Sequence, residues 1–296
     1  MGIEARNLTK TFNNKLALDD VDYNFKSNQI TGLIGFNGSG KTTTFNILTN
    51  FITNYDGEVL YDGKLLNIDI LRQISYLSAG EEQSNNETYF NHLKYFAHAY
   101  RIPNKELKDK IKELAQQFHL REKFSTKIRE LSKGNQQKVK VIGAFLNPNL
   151  KYLFLDEPFD GLDPIMVEIM KKVIIKKTHE LGLTTIITSH RMNVINDMCD
   201  SYFILKEGKL IDYVDSTDGE GVNVIIKANK EIVPSKSLKK MKEVISIYDS
   251  GHAIFITILN KNSIKKITKE LIECENYIEH SVTKETVAER VFRKYE

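Results

Sequence analysis

"ITGLIGFNGSGKTTTFNIL", residues 30–48, decides how the rest of the chain is read. "ITGLIG" is a β-rich apolar run, and "KTTTFNIL" reads as a helix. Between them stands Gly35, then four residues, then Gly40-Lys41-Thr42, which is the strand–loop–helix context of a phosphate-binding loop. Glycines let the backbone turn its N–H groups inward around phosphate oxygens. A helix beginning near Lys41 adds its positive dipole end to the same place. Lys41 is positioned to reach the outer phosphates and Thr42 to ligate Mg2+. A glycine-rich turn could match by chance, but the correct flanking elements argue against that. The loop alone does not separate an ATPase from a GTPase or a small-molecule kinase.

"KYLFLDEPFDGLDP", residues 151–164, narrows the choice. "YLFL" is a continuous apolar run, as in a strand covered on both faces of a parallel sheet. It ends in Asp156-Glu157, and acids at the carboxyl end of a buried strand sit where doubly wound folds bind ligands. Asp156 is placed to hold Mg2+, directly or through water. Side-chain alternation sends Glu157 to the opposite side, from which it could orient or deprotonate the water attacking a γ-phosphate. Alone, Asp-Glu-Pro could merely begin a turn; with a phosphate loop upstream the functional reading is the stronger. A third strand, "TTIITSHRM" (184–192), ends in His190. A histidine there is ordinarily a surface residue, but in the same sheet it would meet the γ-phosphate or Glu157.

One more stretch stands out. "LSKGNQQKV", residues 131–139, opens a helix with a glycine and two glutamines where a core helix would carry leucines. An ordinary capped helix start is the bland explanation.

Taken together and in order, these motifs resemble those of the ATP-binding cassette (ABC) ATPase family over about residues 1–212. "GFNGSGKTT" resembles that family's phosphate loop, which implies ATP contacts from Gly35, Phe36, Asn37, Gly38, Ser39, Gly40, Lys41, Thr42 and Thr43. "YLFLDEP" is similar to the strand carrying the metal-binding Asp156 and catalytic Glu157, and "TSHRM" holds the switch histidine, His190. Asp160, Gly161, Leu162 and Asp163 resemble the D-loop. Phe12 matches the aromatic residue that stacks on adenine. Leu131, Ser132, Lys133, Gly134 and Asn135 resemble the signature, which in this family caps the γ-phosphate of a second subunit. Its polar first turn is thereby explained: a hydroxyl and a helix N-terminus are offered to an anion across an interface. Lys133 and Asn135 depart from the commoner glycine and glutamine. The family usually places a glutamine after "ISYLS"; that position is Ala79 here, with Gln83 four residues on. An alanine methyl holds neither metal nor water, so the expectation is that no side chain fills this role.

The resemblance implies ATP and Mg2+ as cofactors, hydrolysis of ATP, and a separate membrane-spanning permease, with an exporter the leading expectation. It also implies a dimer, with a second copy or with a paralogous ATPase, on the cytoplasmic face of the membrane. The alternative is a soluble ABC ATPase of translation or DNA repair. Two-cassette translation types do not fit a single phosphate loop, and residues 44–130 leave no room for the long coiled coil of the repair types.

The bulk properties agree. The chain has 296 residues, enough for two domains by a prior of roughly 150 each. A net charge of +3 gives no push toward nucleic acid. Cys199 and Cys274 form no metal pattern and fit a reducing compartment. No apolar run approaches the roughly 20 residues of a membrane span, and the first ten residues lack a signal-peptide core. The fold expected is α/β: a P-loop NTPase of ABC type over 1–214, with a mixed sheet core, an antiparallel β section and a helical subdomain over about 81–146. Leu107, Ile111, Leu114 and Phe118 recur there at helical spacing and read as core. A polar linker leads to a small α+β domain over 221–296, with strands in "VNVIIKA", "EVISIYD", "HAIFITILN" and "YIEHSV" and helices over 261–274 and 284–296.

Overall fold

The computed structural model describes residues 1–78, 86–190, 195, 198–215, 221–228, 241–242, 244–249, 254–258 and 277–285. The chain divides into two compact units, Met1–Tyr213 and Val214–Glu296.

The first unit holds two sheets. Strands β1 (Gly2–Phe12), β2 (Lys15–Lys26), β4 (Asp56–Tyr61) and β5 (Lys64–Leu65) form one, in the order β2-β1-β4-β5 with antiparallel pairings. The antiparallel section is therefore larger than the "DGEVLYDGKLL" hairpin suggested, because the two N-terminal strands join it. The second sheet contains β3 (Gln29–Ile34), β6 (Ile74–Leu77), β7 (Tyr152–Asp156), β8 (Thr184–Ser189), β9 (Ser201–Lys206) and β10 (Lys209–Asp215), in the order β10-β9-β3-β8-β7-β6. The β9-β3-β8-β7-β6 run is parallel, and β7 and β8 are buried throughout, as their continuous apolar character requires.

Helix α1 (Lys41–Leu48) shares one core with both sheets. Phe45, Ile47 and Leu48 pack with Ile3, Leu18 and Phe25 of the antiparallel sheet and with Leu33, Phe154 and Ile186 of the parallel one. Phe45 meets Phe154 and Tyr76 edge-on, with ring centroids 5.4 and 5.8 Å apart. Such pairs are worth about 0.5–1.5 kcal/mol each beyond their burial. Tyr23 of β2 adds a buried hydrogen bond to Thr44, 3.1 Å. The start of α1 is thus fixed at the carboxyl end of β3.

Helix α6 (Pro164–Leu181) takes the other face of the parallel sheet: its Thr178 hydroxyl is 2.8 Å from that of Thr185, whereas the neighbouring Ile186 faces α1. The helical section comprises α3 (Tyr89–Ala99), α4 (Asn104–Gln117) and α5 (Lys133–Phe145), after the short α2 (Ile68–Leu71). Leu107, Ile111, Leu114 and Phe118 are all buried, as their spacing predicts. Among the described residues no helix is long and apolar enough to cross a membrane.

In the second unit, β11 (Gly221–Ala228), β12 (Val244–Asp249), β13 (Ile254–Ile258) and β14 (Tyr277–Glu285) form an antiparallel sheet in the order β12-β13-β11-β14. All four expected strands are present. The last runs beyond Val282, because Lys284 and Glu285 pair with Val222 and Gly221, so these two residues do not begin a helix. The helix expected over 261–274, and the remainder of the one expected over 284–296, lie outside the described residues.

Candidate functional site

The glycine loop is built by backbone demands. A Cβ on Gly35 would stand 2.4 Å from both the Leu205 carbonyl oxygen and Ser39 Oγ, so no side chain fits. Gly40 precedes α1 at φ +110, and a Cβ there would lie 2.7 Å from the Ala17 carbonyl oxygen. Two backbone bonds hold the loop: Ser39 N–H donates to Phe36 O, 3.1 Å, and Gly208 N–H donates to Ser39 O, 3.0 Å. Phe36, Asn37, Gly38 and Thr42 are exposed, Thr43 half-buried, and Ser39 buried.

Lys41 is buried, and its ammonium donates to the carbonyls of Gly35 at 2.6 Å and Phe36 at 3.1 Å. Burial pulls its pKa below the usual lysine range, opposed by the negative charges of Glu157 and then Asp156. The loop and the two acids therefore belong to one electrostatic site.

Asp156 ends β7 and is only 3% exposed. The β7–β8 register sets it opposite Thr188, whose hydroxyl donates to Asp156 Oδ1 at 2.5 Å. Glu157 lies just past the strand at φ +47, a left-handed conformation that costs a non-glycine residue about 1–2 kcal/mol. Its N–H donates to the same Thr188 hydroxyl at 2.9 Å. Strand alternation does not govern Glu157, because β7 ends at Asp156. The backbone turns, and both carboxylates act on Lys41. Glu157 Oε2 is 3.0 Å from Nδ1 of His190, whose side chain is 46% exposed against 18% for Glu157.

Asp160, Gly161, Leu162 and Asp163 form a turn into α6. The Asp160 N–H donates to Glu157 O at 3.2 Å, Gly161 has φ +69, and Leu162 is buried. Asp163 caps α6 by accepting from the Met166 N–H at 3.0 Å.

Ser132 caps α5 in the same way, accepting from the Asn135 N–H at 3.2 Å. Leu131 is buried, while Ser132 and Lys133 are exposed. Gly134 is not on the exposed face, as its place in a polar helix start suggested. It is buried, and a Cβ there would come 2.5 Å from Met166 Sδ, so the glycine permits close approach of α5 to α6. The Asn135 side chain turns inward and donates to Glu122. Gln136 donates to the carbonyls of Ile128 and Leu131 at 3.0 and 3.1 Å. Much of the polar first turn is thus engaged within its own chain, leaving Ser132 and Lys133 as the outward pair.

Phe12, at the end of β1, is 44% exposed, with the Lys10 ammonium 5.0 Å from its ring centroid. Ala79 and Gln83 lie outside the described residues. Sequence reasoning missed Thr188, and no local signal could have found it, since threonine is an ordinary strand residue.

A family model described as ABC transporter matches residues 18–160. The ABC transporter ATP-binding protein YhaQ of Bacillus subtilis is 36% identical over 206 residues, 68% of this chain and 67% of YhaQ. The lipopolysaccharide export system ATP-binding protein LptB of Haemophilus influenzae is 31% identical over 218 residues, 71% of this chain and 88% of LptB. Among solved structures, the dimeric bacterial ABC transporter cassette MJ0796 superposes with a TM-score of 0.66 at 26% identity, over 72% of this chain and 98% of the cassette.

Proposed function

This chain belongs to the family of ABC transporter ATP-binding proteins, and on that premise we propose that it is the ATP-hydrolysing subunit of an exporter whose membrane-spanning part is a separate chain. The observation that carries the reading is the buried Lys41 ammonium, held on the glycine loop and attracted by both Glu157 and Asp156. A fixed cation beside two carboxylates suits a phosphate chain that arrives with a divalent ion. The similarity to an export-system ATPase over 88% of that protein's length supports the direction of transport.

Mg2+ fits the donor set. No group of three or more His, Cys, Asp or Glu able to hold a metal occurs among the described residues. An ion held by Thr42 and Asp156 would share its remaining ligand positions with waters and phosphate oxygens, which is how Mg2+ is commonly held. Thr42 and Asp156 would supply the protein ligands, and the bound ion would neutralise charge on the phosphate oxygens. Lys41 would bind the β- and γ-phosphates, together with the loop amides. Glu157 would accept a proton from the attacking water, with His190 holding its carboxylate in place. Phe12 would stack on the adenine. Ser132 and Lys133 would meet the nucleotide of a second ATPase copy, while Asp160 and Gly161 would lie near the same junction. The chain would then sit on the cytoplasmic face of the membrane, bound to its permease. Residues 1–214 would carry this chemistry, and the domain after residue 221 would support assembly or regulation.

The test is purification of the tagged chain from detergent-solubilised membranes of its own cell. A multi-span membrane chain is expected to co-purify, and ATPase activity to change when the pair is reconstituted in lipid. Recovery in the soluble fraction, with a ribosome or DNA and no membrane chain, would favour the soluble reading instead.

A further inference from the structure

A single buried hydroxyl joins the two acids. Thr188 is fully buried in β8, in register with Asp156 on one side and Leu33 on the other. A backbone N–H can only donate, so the Thr188 oxygen accepts from Glu157 at 2.9 Å. The one hydroxyl proton then goes to Asp156 Oδ1 at 2.5 Å. Each bond polarises the other, since the hydroxyl is donor and acceptor at once.

We propose that Thr188 is a positioning residue for ATP hydrolysis, holding Asp156 and the backbone of Glu157 as one unit. The inference rests on the roles given above to those two acids. Glu157 is a non-glycine residue at φ +47, and an ordinary residue leaves that region unless its surroundings over-determine it. The bond from its N–H to Thr188 is one such determinant, and it orients the carboxylate that meets His190 at 3.0 Å. The same hydroxyl occupies one oxygen of Asp156. Without it, Glu157 would be free to relax toward ordinary dihedral angles, and Asp156 would lose a fixed partner. A merely structural role makes a different claim: the fold would weaken, but each folded molecule would turn over normally.

The experiment compares Thr188→Val, Thr188→Ala and Thr188→Ser with the wild-type chain, each rate expressed per nucleotide-binding site so that unfolded protein does not count. Valine keeps the branched shape and loses the hydroxyl; serine keeps the hydroxyl. Displacement of a catalytic group by about 1 Å can cost on the order of 100-fold. Thr188→Val and Thr188→Ala are therefore expected to lower kcat about 10- to 100-fold, with the KM for ATP changed less than about 3-fold, and Thr188→Ser to stay within about 3-fold of wild type. If the valine variant does not accumulate folded, the alanine variant carries the test. A second readout needs no turnover: the Mg2+ concentration for half-maximal binding of a non-hydrolysable ATP analogue should rise in Thr188→Val and not in Thr188→Ser. Wild-type kcat and Mg2+ dependence in the valine or alanine variant, or a serine variant as impaired as valine, would overturn the proposal. Glu157→Gln is measured alongside. If that variant keeps its turnover, the assignment of the base has failed; if it loses turnover while Thr188→Val does not, the positioning role alone has failed.

Discussion

Replacing Glu157 with glutamine is expected to lower ATP turnover by about 100-fold or more, the scale of a lost general base, while ATP binding persists. The geometry isolates the effect. Glutamine has the shape of glutamate, and the backbone N–H bond to Thr188 does not involve the side chain. Only the proton-accepting charge is removed. Glu157 and Asp156 both act on Lys41, so loss of one negative charge near the phosphates also reduces repulsion of ATP. The unhydrolysed nucleotide should therefore accumulate on the protein, favouring the ATP-bound dimer. Phosphate release and equilibrium binding of labelled ATP, measured on the same preparation, check both halves. Turnover near that of the wild type would contradict the assignment.

Lys41→Ala is expected to act on affinity before chemistry. A hydrogen bond to a charged group is worth roughly 1.5–3 kcal/mol, or on the order of 10- to 150-fold in binding at about 1.4 kcal/mol per tenfold. The two carboxylates nearby make the loss worse, because Lys41 is the cation set against them. Stability without nucleotide should change little. Among the described residues the ammonium bonds to carbonyls of its own loop, and its burial already disfavours the charged form. The clearest check is thermal unfolding with and without saturating ATP, since a ligand that binds only the folded state raises the transition. The wild-type chain should show that rise and Lys41→Ala should lose most of it. An undiminished rise would place the phosphates elsewhere.

The parts of the fold that were legible in the sequence are those written in consecutive residues. "ITGLIG" and "YLFLD" are apolar runs that stop at a glycine loop and at an acid pair, and both became buried strands of one parallel sheet. The apolar spacing of α4 gave its buried face for the same reason. What stayed hidden depends on contacts between distant segments. The pairing of β1 with β2 and β4 enlarged the antiparallel sheet. Gly134 reads in sequence as part of an exposed turn, but Met166, on another helix, covers it. Glu157 falls one residue past the strand, on left-handed backbone, where the alternation rule does not reach. Thr188 could not be singled out, because its importance comes from the β7–β8 register and not from its own strand.

The central claim is that the glycine loop and the acid pair form one ATP site, and a crystal structure of Glu157→Gln with ATP and Mg2+ tests it most directly. The account predicts phosphates seated against the Gly38–Lys41 amides, with the Lys41 ammonium moved from the Gly35 and Phe36 carbonyls onto phosphate oxygens and the metal beside Thr42 and Asp156. The first unit also has a groove of about 520 Å3 lined by residues that include Glu4, Arg6, Asp22, Tyr23 and Phe203. Nucleotide bound there, with Lys41 still on its own loop, would contradict the account.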